Sequence, residues 1–172
     1  MAIKYDKSQG ERKSLSALPW RRILVPIDFS KTSLRAFEVA VPLARDHGAR
    51  LLVLSVVEPA AFAAGLEGVV ILVPDALLVE KTKANLSKGV RRFVPAAIPV
   101  TCLVSRGKAF DVITQVAKKN NIDLIVLTTH GRTGVDRVLM GSTAELVVRH
   151  AHCPVYIVRP VGQRQGKQRE RN

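Results

Sequence analysis

Cysteine is scarce. The chain has two, Cys102 and Cys153, in 172 residues. That excludes a disulfide framework and any CxxC redox or zinc pair, and it fits a reduced, cytoplasmic setting. Both thiols are expected to pack as small hydrophobes. Aromatic residues make up only 5% of the chain, which leaves little to stack on nucleic-acid bases. No apolar run approaches the roughly 18–20 residues of a membrane span. The longest, 69–73, stops at Pro74 and Asp75, so no membrane association is expected. Charges near the N-terminus are not followed by an apolar stretch, so no secretory leader is expected.

What is present is apolar and basic. Hydrophobic residues reach 47%, enough for a sizeable core and too many for a disordered chain. The length suits one domain, since two would need roughly 100 residues each. Lys and Arg outnumber Asp and Glu by 27 to 14. Residues 1–22 hold six basic side chains against two acidic, and 161–172 hold four against one. The ends therefore read as a flexible basic extension (1–21) and a flexible basic tail (161–172) around a domain at 22–160. Such a charge suits an anionic partner or simple solubility. Specific nucleic-acid binding is not expected, because no recognition motif accompanies the charge.

The middle alternates short apolar runs with helical patterns. Strands are expected at 23–27, 51–57, 100–104, 123–127 and 155–158. Helices are expected at 32–47, 75–93, 108–119 and 142–150. In the first helix Leu34, Phe37 and Val41 share a face with Ala40 and Ala44 beside it, and Gly48 is placed to end it. Pro42 should kink it or leave the Glu38 carbonyl unpaired. Asp75 is a candidate N-cap for the second helix. Val112, Ile113, Val116 and Ala117 form the apolar face of the third. The run 123–127 is apolar throughout, as a strand covered on both faces would be. Pro26 is awkward inside a central strand. Residues 58–74 read as a long apolar loop or lid over the core or a partner subunit. The alternation makes this an α/β chain, a parallel sheet with helices on both faces. Ligands of such sheets bind beyond the carboxyl ends of the strands, which makes 28–30, 56–58, 105–107 and 128–143 the candidate positions.

Thr128 to Glu145, TTHGRTGVDRVLMGSTAE, is the informative stretch. Ser142 and Glu145 have the S-x-x-E spacing of a capping box, which makes Ser142 the expected N-cap. A helix start offers unpaired N–H groups to an anion. Gly131, Gly134 and Gly141 would let a ligand approach the backbone, Ser142 and Thr143 add hydroxyls, and Arg132 and Arg137 add charge. The equal alternative is a tight structural loop whose glycines serve turns. The spacing is not that of a phosphate-loop kinase motif or a dinucleotide fingerprint.

Three segments carry a resemblance: ILVPIDFS at 23–30, DLIVLTTHGRTG at 123–134 and LMGSTAELVVRHAHCPVYIVRP at 139–160. Over roughly 22–160 the chain resembles the universal stress protein family. The resemblance implies a single doubly wound five-stranded parallel sheet of order 3-2-1-4-5, like that of adenine nucleotide alpha-hydrolases. It implies homodimers paired through the last strand, 154–159, and in one subgroup bound ATP, with Mg as its accompanying ion. The adenosine would lie near Pro26, Asp28 and Val56, and the phosphates near Thr128, His130, Gly131, Arg132, Gly141, Ser142 and Thr143. The subgroup is marked by G-x-x-G, nine residues, then G-[S/T]. Gly131 and Gly141-Ser142 fit, but Thr128 stands at the first glycine, where its side chain either crowds the ligand or donates a hydrogen bond.

Asp28 is either a ligand contact or a cap for the following helix, and Val56 is either an adenine contact or plain strand core. His130 reads as a structural loop residue or a phosphate contact. His150, His152 and Cys153 lack a zinc pattern, so no structural metal is expected, and His150 is better placed to cap its helix. No nucleophile–base pair, G-x-S-x-G or HExxH is present. Enzyme activity would be at most a slow ATPase, by water attack on a phosphate held by backbone amides. The leading reading is a cytoplasmic homodimeric stress-response sensor or regulator that binds an adenine nucleotide. Its rivals are a homodimeric interaction module of the same fold without nucleotide, and a nucleic-acid-associated basic protein.

Overall fold

Five of the apolar runs become strands because the helices between them cover both faces of one sheet. The structure is a computed structural model, and it describes residues 20–58, 75–129 and 140–159. The strands are β1 (Arg22–Pro26), β2 (Arg50–Val57), β3 (Val100–Arg106), β4 (Leu124–Thr128) and β5 (Val155–Val158). Neighbouring strands are all parallel, in the order β3-β2-β1-β4-β5. Winding therefore reverses between β1 and β4, which opens a crevice at their carboxyl ends. The helices are α1 (Lys31–Leu34), α2 (Ala36–His47), α3 (Asp75–Phe93), α4 (Ala109–Lys119) and α5 (Ser142–His150).

Successive strand residues face opposite layers. Ile23 and Val25 pack with Phe37, Ala40 and Ala44 of α2 and with Leu86 and Val90 of α3. Leu24 and Ile125 pack with Ile113, Val116 and Ala117 of α4 and with Ala144 and Val147 of α5. β4 is buried along its whole length, as its unbroken apolar run requires.

The helix expected at 32–47 is divided. Ser30 caps α1, its Oγ accepting from the Ser33 N–H at 3.0 Å. Around Arg35 the bonds tighten to three-residue steps, Arg35 N–H to Thr32 O and Glu38 N–H to Arg35 O, each 3.0 Å. The chain pinches there and α2 resumes. Pro42 lies inside α2 without ending it. Having no N–H, it withholds the helical bond from the Glu38 carbonyl. Gly48 closes α2 at φ 61°, with its N–H on the carbonyls of Ala44 and Arg45, an αL end that glycine adopts at no steric cost. Pro26 is the final residue of β1. The ladder passes it, since the Ile27 N–H reaches Leu54 O at 2.8 Å.

Candidate functional site

The chain leaves β1 through a strained turn. Asp28 Oδ1 accepts the Ser30 N–H at 3.0 Å, and the Asp28 N–H donates to Ser33 Oγ at 3.2 Å. Phe29 between them has φ 64°, an αL conformation that costs a bulky residue free energy and recurs at functional turns. The α1 cap is Ser30, so the Asp28 carboxylate braces the turn from two residues upstream.

A cavity of about 600 Å³ opens at this point, across the carboxyl ends of β1, β2 and β4. Pro26 and Asp28 line it from β1, Val56 and Glu58 from β2, and Thr128 from β4. Gly141, Ser142 and Thr143 line it from the start of α5. Seven of the residues singled out in the sequence thus share one cavity. His130, Gly131 and Arg132 lie outside the described residues, as do Gly134, Arg137 and segment 59–74.

The α5 start departs from the capping box. Gly141 is the N-cap, Ser142 is the first helical residue, and no side chain makes a cap bond. With the helix beginning one residue earlier than the capping box requires, Ser142 and Glu145 fall at its first and fourth positions, where the reciprocal bonds cannot form. Glu145 instead pairs with Arg149 at 3.1 Å. The first-turn N–H groups of α5 and the positive end of its dipole consequently remain on the cavity side. The Gly141 N–H bonds Thr129 O at 2.8 Å, which ties the start of α5 to the end of β4. Thr128 is only 8% exposed, so the branched side chain at the pattern's first glycine is packed rather than projecting freely.

Sequence reasoning reached Glu58 only as part of the strand end 56–58, and it missed two further contributors on α3. Glu58 Oε1 accepts the Ala109 N–H at 2.8 Å and so occupies the start of α4, whose own N-cap, Lys108, makes no side-chain bond. Thr82 and Asn85, one turn apart on α3, also line the cavity. No local pattern marks them, because the other residues lining the cavity lie on elements distant in sequence.

The remaining chemistry-bearing residues lie elsewhere. Burial raises the thiol pKa of Cys102, and burial together with the Asp123 charge raises that of Cys153. Both are thus protonated at neutral pH and poorly nucleophilic. His150 Nδ1 lies 3.0 Å from Leu146 O in the last turn of α5. Among the described residues, no group of three or more His, Cys, Asp or Glu is placed to hold a metal. No described helix is long and apolar enough to cross a membrane.

A family model described as "Universal stress protein family" matches residues 19–159. The chain belongs to the universal stress protein family. A curated member of that family from Methanocaldococcus jannaschii is 34% identical over 142 residues, covering 81% of this chain and 82% of its own. The solved universal stress protein UspA of Lactobacillus plantarum is 34% identical with a TM-score of 0.64, covering 81% of this chain and 98% of that one. A more distant likeness, 18% identical with a TM-score of 0.56, is a universal stress protein of Archaeoglobus fulgidus in complex with dAMP. It covers 81% of this chain and 98% of its own. These likenesses agree with the sheet order and with helices on both faces.

Proposed function

We propose that this universal stress protein binds an adenine nucleotide, ATP in the first instance, in the cavity at the sheet's reversal point and acts as a cytoplasmic sensor or regulator. The carrying observation is that one cavity gathers Asp28 and Val56 at one end and Gly141, Ser142 and Thr143 at a helix start. The adenosine part would lie against Asp28 and the Val56 backbone. The phosphates would meet the N–H groups and hydroxyls at the start of α5, where a dipole and free donors favour an anion. Segment 130–132 would complete the phosphate side. The dAMP-bound relative from Archaeoglobus fulgidus supports the ligand class. Mg-ATP is the form to test. Any hydrolysis is expected to be slow, by water attack on a phosphate held by backbone amides.

Thr128 tests the fit. Replacing it by glycine removes a branched, packed side chain from the ligand's side of β4. Thr128→Gly is expected to tighten ATP by roughly tenfold, the scale of relieving one or two carbon atoms of crowding. Isothermal titration reads this. Weaker binding would mean that the threonine hydroxyl contacts the ligand. Absence of binding in both proteins would favour the second reading, a dimeric interaction module without nucleotide, which the packed Thr128 specifically supports.

The homodimer proposal rests on β5. That strand is at the sheet edge, and Tyr156 on it is 46% exposed. An open apolar edge invites strand pairing. Tyr156→Lys would place two like charges near a two-fold axis. It is expected to convert dimer to monomer at micromolar concentration in sedimentation velocity, whereas a persisting dimer would put the interface elsewhere.

A further inference from the structure

Among the described residues, the opposite end of the sheet carries a rim in which basic side chains outnumber acidic ones. All strands run one way, so each returning helix sets its last turn at the amino ends of the strands. Those last turns carry Arg45, Arg91, Arg92, Lys118 and Lys119. Into the same rim project Arg21, Arg22 and Arg50. Arg22 on β1 is in direct register with Arg50 on β2, and residues in register on parallel strands face the same layer. Like charges so placed destabilise a sheet, and among the described residues Asp123 and Asp46 offset the rim only in part. Asp123 Oδ2 is occupied by the backbone N–H groups of Arg21 and Arg22, both at 2.8 Å. Asp46 pairs with Arg45.

Helix capping accounts for part of this. Arg21 Nη1 and Arg22 Nη1 reach the carbonyls of His47 and Asn120, each at 3.4 Å, the long limit of a hydrogen bond. Neither contact uses the whole guanidinium fork. Arg50 makes no side-chain hydrogen bond or ion pair among the described residues. Between the three arginines lies an open cleft of about 480 Å³, completed by Gly48 and Pro99.

We propose that this cleft binds a compact polyanion made of several linked phosphate groups. Guanidinium forks match phosphate oxygens in pairs. A ligand bridging Arg22 and Arg50 turns their repulsion into binding, which explains why two arginines stand in register. Linked phosphates place several charges inside the cleft. An extended acidic peptide presents one carboxylate per roughly 6.6 Å on any one face, since successive side chains alternate, so it meets the paired arginines with fewer charges. Among the described residues no aromatic ring lines the cleft, so it lacks the ring platforms on which bases stack in single-strand sites.

The test is isothermal titration of the full chain with tripolyphosphate, alongside hexaglutamate and a short single-stranded oligothymidylate. Wild-type protein is expected to bind tripolyphosphate most tightly. Arg22→Gln and Arg50→Gln should each weaken it by about tenfold, the scale of one charge-assisted hydrogen-bonded contact. Arg50→Lys should recover only part, since it restores charge without the fork. Both arginines are exposed, and an unchanged melting temperature will confirm that the variants fold. Failure of wild-type protein to bind tripolyphosphate overturns the proposal, as does undiminished binding by the Arg22→Gln/Arg50→Gln double variant. Tighter binding of hexaglutamate or oligothymidylate, lost in that double variant, would reassign the rim to an acidic protein or to nucleic acid and equally overturn it.

Discussion

Gly141→Val is expected to abolish nucleotide binding while leaving the protein folded. Gly141 has φ −60° and ψ 147° at the α5 N-cap, an extended conformation that valine adopts readily. The substitution therefore adds no backbone strain. It adds an isopropyl group at the place where the proposed phosphates meet the helix start. Crowding on this scale costs about 3 kcal/mol, about a hundredfold in Kd. Titration with Mg-ATP measures the loss, and far-UV circular dichroism checks the fold. Undiminished affinity would remove the α5 start from the site, whatever else the cavity holds.

Leu24→Ala is expected to produce the largest loss of stability. Leu24 is 0% exposed and sits on the central strand, in register with Leu52 of β2 and Ile125 of β4. The cavity left behind has sheet neighbours on both sides and α4 and α5 above it, so collapse around it is limited. The expected cost is about 3 kcal/mol, seen as a urea midpoint lower by roughly 1–2 M. Val100→Ala, on edge strand β3 where the residue is 40% exposed, should cost far less. Equal costs at the two positions would mean that the core is not centred on β1.

Much of the fold was legible because its signals are local. The unbroken apolar run of β4 and the 3.6-residue spacing of Ile113, Val116 and Ala117 need no distant partner to be read. Strand order is different. Alternation implied a parallel sheet, but the order came from the resemblance, since no local property distinguishes β4 from β2 as the neighbour across the reversal. Boundaries failed where one residue matters. The S-x-x-E spacing pointed to Ser142 as the cap, yet the chain at Gly141 already has cap geometry, and that shift leaves Glu145 facing Arg149. The division at Arg35 is a change from four- to three-residue hydrogen bonds, which no side-chain pattern announces. In the site, Asp28, Val56 and Ser142 lay in recognisable segments. Glu58 lay in the strand end 56–58, but its bond to Ala109 was not legible, because that contact spans 51 positions and only the β2–β3 pairing brings the two together.

The measurement that bears most directly on nucleotide binding uses protein purified without added nucleotide. The protein is denatured, and what it releases is identified by chromatography and mass spectrometry. Near-stoichiometric ATP, ADP or AMP is the expected result, and it would show that the packed Thr128 is compatible with the ligand. An empty protein whose melting temperature is also unmoved by millimolar Mg-ATP would contradict the account and leave a dimeric module that binds no nucleotide.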